Sequence, residues 1–123
     1  MPFDLTVCVE DAPGVLAALG EATGKAGINL DGFGCMDMEG RGVCHLLVED
    51  GEGARKALAD AGFQVSEPRE VLVVQAADRP GALGALARRL TNVEVNLEFA
   101  YVSAGSRLVL GLDDLARGRR SAL

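Results

Sequence analysis

Apolar and polar positions alternate along the start of the chain. Phe3, Leu5, Val7 and Val9 are separated by Asp4, Thr6, Cys8 and Glu10, which is the period of a strand with one buried face. The turn Asp11-Ala12-Pro13-Gly14 interrupts this pattern; its proline presets φ for helix entry and its glycine permits close backbone approach. From 14 to 26 the apolar spacing changes to three and four through Leu16, Leu19, Thr23 and Ala26, predicting a helix that Gly27 ends. Strands are expected at 28–36 and 43–49, on either side of the glycine-containing loop Met38-Glu39-Gly40-Arg41-Gly42. Ala54, Ala57, Leu58 and Ala61 then mark one side of a second helix. Gly62 stops it, and Phe63-Gln64-Val65 makes a short fourth strand.

The same pattern then recurs. Asp78-Arg79-Pro80-Gly81-Ala82-Leu83 stands 67 positions after Asp11-Ala12-Pro13-Gly14-Val15-Leu16, and that offset also places Leu86 on Leu19 and Val95-Asn96-Leu97 on Ile28-Asn29-Leu30. Further on, Leu112-Asp113-Asp114 matches Val48-Glu49-Asp50 at an offset of 64, so the second copy has a hairpin loop three residues shorter. Length changes in a duplication are expected in loops. The second set of elements falls at 71–76, 81–90, 95–102 and 107–112; its last helix is weakly marked and no fourth strand follows.

A βαββαβ order implies an α+β, ferredoxin-like unit: an antiparallel sheet with both helices on one face. Two such repeats are expected, at 1–68 and 69–123, the second without its last strand. A 60-residue unit is marginal alone because it buries only ~60% of its unfolded surface. Val71 and Val73 on the outward side of the second copy's first strand predict that this face is covered, by the first unit or by another chain. The missing strand leaves an edge that needs pairing or protection.

Charge and cysteines narrow the possible functions. With 18 acidic and 12 basic residues the formal net charge is −6, which disfavours nucleic acid as a partner because such binding rests on phosphate neutralisation. The short basic stretch Arg117, Arg119 and Arg120 reads as a solvated helix end. No apolar run approaches the ~20 residues that cross a bilayer and no leader is evident, so a cytoplasmic location is expected. Cys8, Cys35 and Cys44 match no zinc spacing and read as reduced, structural residues. Cys44 and His45 would point to opposite faces of one strand, so no metal site is expected there.

At the two Asp-x-Pro-Gly-x-Leu turns and the two Asn-Leu strand starts, the chain resembles the ACT family, small regulatory domains attached to many enzymes of amino-acid metabolism. The likeness covers nearly the whole chain, in two copies, and is nearest to stand-alone proteins made of two such units. It implies a free amino acid held at the interface between neighbouring units, against the turn after the first strand and the start of the second. The residues it selects are Asp11, Ala12, Gly14, Val15, Leu16, Asn29 and Leu30, and their repeats Asp78, Arg79, Gly81, Ala82, Leu83, Asn96 and Leu97. A helix N-terminus offers unpaired N–H groups and a partial positive charge to an α-carboxylate, and the Asp and Asn side chains offer partners for an ammonium. The aspartates also suit helix capping or turn stabilisation, and the asparagines local loop closure. Many amino-acid-binding ACT units have Asn where this chain has Asp11 and Asp78, so the added negative charge points to a cationic group.

An enzyme would need a nucleophile or an acid–base pair. His45 is the single histidine, and no serine or cysteine motif, phosphate loop or dinucleotide fingerprint accompanies it. The expectation is a non-catalytic, cofactor-free regulatory homodimer that binds an amino acid. The alternative is a ligand-free protein-interaction or dimerisation module that regulates an enzyme of amino-acid metabolism.

Overall fold

The protein is described by a computed structural model covering residues 2–122. Its contacts divide the chain after Glu70. The first unit contains β1 (Phe3–Glu10), α1 (Val15–Lys25), β2 (Gly32–Met38), β3 (Arg41–Val48), α2 (Gly51–Asp60), β4 (Gln64–Val65) and β5 (Arg69–Glu70). The second contains β6 (Leu72–Gln75), α3 (Ala82–Asn92), β7 (Leu97–Ser103), β8 (Arg107–Leu112) and α4 (Leu115–Ala122).

In the first unit the sheet order is β2-β3-β1-β4, with β5 also on β1 and every pairing antiparallel. This is the expected ferredoxin-like sheet. Its fourth strand is broken: Val65 pairs with Val7 and Arg69 with Asp4, so the register slips by one residue between them. Pro68 lies in the break and has no N–H to donate. Ser66 holds the break together, its amide donating to the Thr6 carbonyl at 2.9 Å while its Oγ accepts from the Thr6 amide at 2.9 Å. Because β5 still pairs with β1, the unit runs two residues past the expected boundary.

Burial follows the strand alternation. Leu5 and Val7 are fully buried on the helix side, with Leu46 from β3, Leu19 from α1 and Leu58 from α2. On the opposite side of the sheet, Asp4 and Leu47 are also buried, each 1% exposed. His45 lies on that second side, with Nδ1 3.0 Å from Asp4 Oδ2.

Leu16, expected on the apolar side of α1, is instead 54% exposed, whereas Leu19 and Thr23 are buried. The second strand starts at Gly32 rather than Ile28, because the Ile28 amide is held by the Thr23 carbonyl as the helix closes and Asn29 Nδ2 donates to Asp31 Oδ1.

The second unit has the order β6-β8-β7, the same sheet without a fourth strand. Leu72, Leu86, Leu90, Leu110 and Leu112 form its core, while Val71 and Val109 on the other side are 1% and 0% exposed. The weakly marked last helix is present as α4. It begins as α2 does: Asp50 Oδ1 accepts from the Gly53 amide at 2.9 Å, and Asp114 Oδ1 from the Arg117 amide at 3.0 Å. Gly118 lets α4 approach β8, since an added Cβ would strike Leu112.

Candidate functional site

In both units the chain leaves its first strand, passes a proline and enters a helix through a left-handed glycine. Gly14 and Gly81 each have φ of 88°, a conformation open to glycine and strained for other residues. No side chain caps either helix, so Asp11 and Asp78 are not N-caps. Both are exposed and bond to none of the described residues. The turns are closed by main chain instead, Val15 N donating to Ala12 O at 3.4 Å and Ala82 N to Arg79 O at 3.3 Å. The next amides, Leu16 and Ala17 in α1 and Leu83 and Gly84 in α3, lie in the first turn, where helix geometry supplies no partner.

A cavity of about 230 Å³ opens beside the first helix start. Val9 and Glu10 at the end of β1, Asp11 and Ala12 in the turn, and Val15, Leu16 and Leu19 in α1 form one side. The β2–β3 hairpin forms the other, through Cys35, Met36, Asp37, Gly42 and Cys44. The second unit has a cavity of about 200 Å³ lined by Ala76, Ala77, Asp78, Arg79, Ala82, Leu83, Val102, Ser106 and Leu108. Every one of these residues is the repeat of a residue lining the first cavity, at offset 67 up to Val102 and 64 from Ser106 onward. The strand registers fix the second offset: Leu5 pairs with Leu46 as Leu72 pairs with Leu110.

Of the residues selected from the sequence, Asp11, Ala12, Val15 and Leu16 meet at the first cavity, and Asp78, Arg79, Ala82 and Leu83 at the second. Gly14 and Gly81 shape the entries without lining them. Asn29 is exposed beside Asp31, and the Asn96 amide donates to Asp113 Oδ1 at 2.9 Å. Leu30 and Leu97 are half-buried against the cores of their own units. None of these four lines either cavity.

The hairpin wall was missed from the sequence. Its residues reach the cavity only through the pairing of Cys35 with Cys44 and Asp37 with Gly42 across β2 and β3. A Cβ on Gly42 would lie 2.7 Å from Val9 Cγ2, so the wall closes on β1 only because that position is glycine. Alternation did carry one clue, for Cys44 falls two residues from Leu46 on the helix-facing side. The two cysteines were expected to be reduced; the structure joins them in a disulfide with Cα atoms 4.1 Å apart, and leaves Cys8 free. That Cα distance belongs to a non-hydrogen-bonded antiparallel pair, the position where facing side chains come closest.

The two cavities differ in charge. Glu10, Asp11 and Asp37 surround the first with no lysine or arginine, whereas Asp78 is accompanied by Arg79 at the second. Among the described residues no group of three His, Cys, Asp or Glu is placed to hold a metal ion, and no helix is long and apolar enough to cross a membrane.

No protein-family model and no curated protein matches the chain. Solved structures do. Protein BT0572 from Bacteroides thetaiotaomicron superposes with a TM-score of 0.85 at 24% identity, over 97% of this chain and 84% of that one. The regulatory subunit of aspartate kinase from Thermus flavus gives 0.72 at 16%, over 98% and 90%. Clostridium acetobutylicum aspartate kinase gives 0.65 at 12%, over 98% of this chain and 31% of the enzyme. The chain therefore shares the α+β, ferredoxin-like fold of these structures, with antiparallel sheets and helices.

Proposed function

We propose that the protein is a non-catalytic regulator that binds a free amino acid in the cavity at the start of α1, and in its counterpart at the start of α3. The observation that carries this reading is the recurrence of one cavity, on matched residues, at two helix starts that no side chain caps. First-turn amides there suit an α-carboxylate. Asp11 and Asp78, exposed and unengaged, suit the ammonium. The volumes lie below the ~300–1,000 Å³ of sites for drug-sized molecules, in keeping with a small ligand. Three carboxylates around the first cavity favour a ligand with a positively charged side chain, while Arg79 offsets that preference at the second.

The fold shared with an aspartate kinase regulatory subunit supports a regulatory role. His45, the single histidine, is engaged by Asp4 on the sheet side away from α1 and has no nucleophile assigned to it, which supports a chain without catalysis. The protein acts in the cytoplasm as a homodimer, and a second copy completes the open side of each cavity. Its net charge of −6 argues against nucleic acid as the partner.

A thermal-shift screen against the twenty amino acids tests this, because a ligand of the native state raises the melting temperature by mass action. At least one amino acid is expected to raise it, with Asp11→Ala or Asp78→Ala weakening the response. Light scattering of the full chain is expected to give twice the monomer mass. A flat screen on a dimer would favour the alternative of a ligand-free docking module, for which the exposed Leu16, Met36, Leu83 and Val102 around the two cavities would be the contact surface.

A further inference from the structure

The two cavities share a plan but differ at one facing pair. Where β2 and β3 of the first unit place Cys35 opposite Cys44, β7 and β8 of the second place Val102 opposite Leu108. An apolar pair thus suffices to build this wall, and the first copy carries two thiols in its place. They are also unequally accessible: Cys35 is exposed, whereas Cys44 is 3% exposed and belongs to the core cluster with Val7, Leu19 and Leu46.

We infer that Cys35 and Cys44 form a reversible thiol–disulfide site whose reaction partner is a low-molecular-weight disulfide or thiol, and whose state sets the hairpin wall of the first cavity alone. In the forward direction the Cys35 thiolate attacks the small disulfide, forms a mixed disulfide and releases one thiolate. Cys44 then attacks Cys35 Sγ, the intramolecular bond forms and the second thiolate leaves. Two electrons pass from the protein thiols to the small disulfide, and the two protons released end on the leaving thiols. Reduction is the reverse, with a small thiol attacking the accessible Cys35 Sγ and expelling Cys44. In a reducing compartment such pairs are transient and sensing rather than permanent.

The bond spans a sequence separation of nine residues and ties the hairpin just below Met36, Asp37 and Gly42, all of which line the cavity. Opening it frees that end of the wall, while the hairpin of the second unit has no such tie. The exchange chemistry stands by itself; its consequence for a ligand rests on the amino-acid reading above.

The test uses the full chain in buffers of graded oxidised to reduced glutathione, with thiols trapped by alkylation and assigned by mass spectrometry. Cys35 and Cys44 are expected to pass together between blocked and free across the series, and Cys44→Ser is expected to accumulate mixed disulfide on Cys35. A pair that stays in one state throughout, or a Cys44→Ser chain that takes no glutathione on Cys35, overturns the proposal. Hydrogen exchange reads the consequence without any ligand: reduction is expected to cost protection at the tip of the β2–β3 hairpin and to leave β7–β8 unchanged. The double variant Cys35→Val with Cys44→Leu, which copies the pair already folded in the second unit, is expected to lose all redox response. Equal protection at the β2–β3 tip in both redox states would refute the control of the wall, and a flat amino-acid screen in both states would count against the ligand reading alone.

Discussion

Glu94 holds the left-handed backbone at the end of α3 that Gly27 holds at the end of α1, with φ of 59° against 73°. The surrounding bonds are matched too: Gly27 N reaches Gly24 O and Ile28 N reaches Thr23 O, while Glu94 N reaches Thr91 O and Val95 N reaches Leu90 O. One closing motif is thus built on two residue types, and only glycine adopts it without a Cβ penalty. Glu94→Gly should therefore stabilise the protein, by about 1 kcal/mol once the left-handed cost is set against the looser unfolded chain. Urea unfolding would measure it, and a lower midpoint would show that the Glu94 side chain contributes more than its backbone costs.

The aspartates that open α2 and α4 lead to a second prediction. Asp50 and Asp114 accept first-turn amides with matching geometry, and each substitution to Ala should cost about 1 kcal/mol. The helix that follows Asp114 holds Arg117 and Arg119 near its cap, so circular dichroism of Asp114→Ala should also show lost helix. An unchanged spectrum would mean that packing of Gly118 on Leu112, rather than the cap, holds α4 in place.

These matched devices explain how far the fold could be read in advance. Alternation through Phe3, Leu5, Val7 and Val9 and the repeated Asp-x-Pro-Gly-x-Leu turns are local signals, so the order of elements and the duplication were legible. Leu16 misled because helix spacing does not distinguish a residue facing the core from one facing a cavity. The break at Ser66-Glu67-Pro68 and the hairpin wall were not legible, since both depend on the exact register in which the paired strands face each other. Cys35 and Cys44 carry no spacing signature; only the β2–β3 register brings them together.

Phe99 and Gly111 provide a test of that register in the second unit. They are paired across β7 and β8, and the ring lies so close over the glycine that an added Cβ would collide with it. Gly111→Ala should cost about 1–3 kcal/mol, as overpacking does in a well-filled core. Adding Phe99→Ala to Gly111→Ala should recover part of that loss, because the collision goes with the ring. A double-mutant cycle in which the two costs simply add would place the ring elsewhere.

Gly14 and Gly81 separate backbone strain from crowding at the sites themselves. Nothing lies within 4 Å of a Cβ added at either position, yet both have φ of 88°. If the turn keeps its conformation, the cost of Gly14→Ala or Gly81→Ala is therefore purely conformational, about 1 kcal/mol each from the left-handed penalty less the gain from a stiffer unfolded chain. If the turn yields instead of bearing this strain, the amides of Leu16 and Ala17, or of Leu83 and Gly84, swing away from the cavity. Each variant should then lose the amino-acid response proposed for its own unit while keeping most of its helix. Measuring stability and the ligand-induced shift together distinguishes the cases: lower stability with an intact response means a strained but rigid entry, and a lost response at little cost in stability means that the left-handed glycine exists for the site. The second outcome is expected, because a turn so open to solvent has no packing to hold it against the strain.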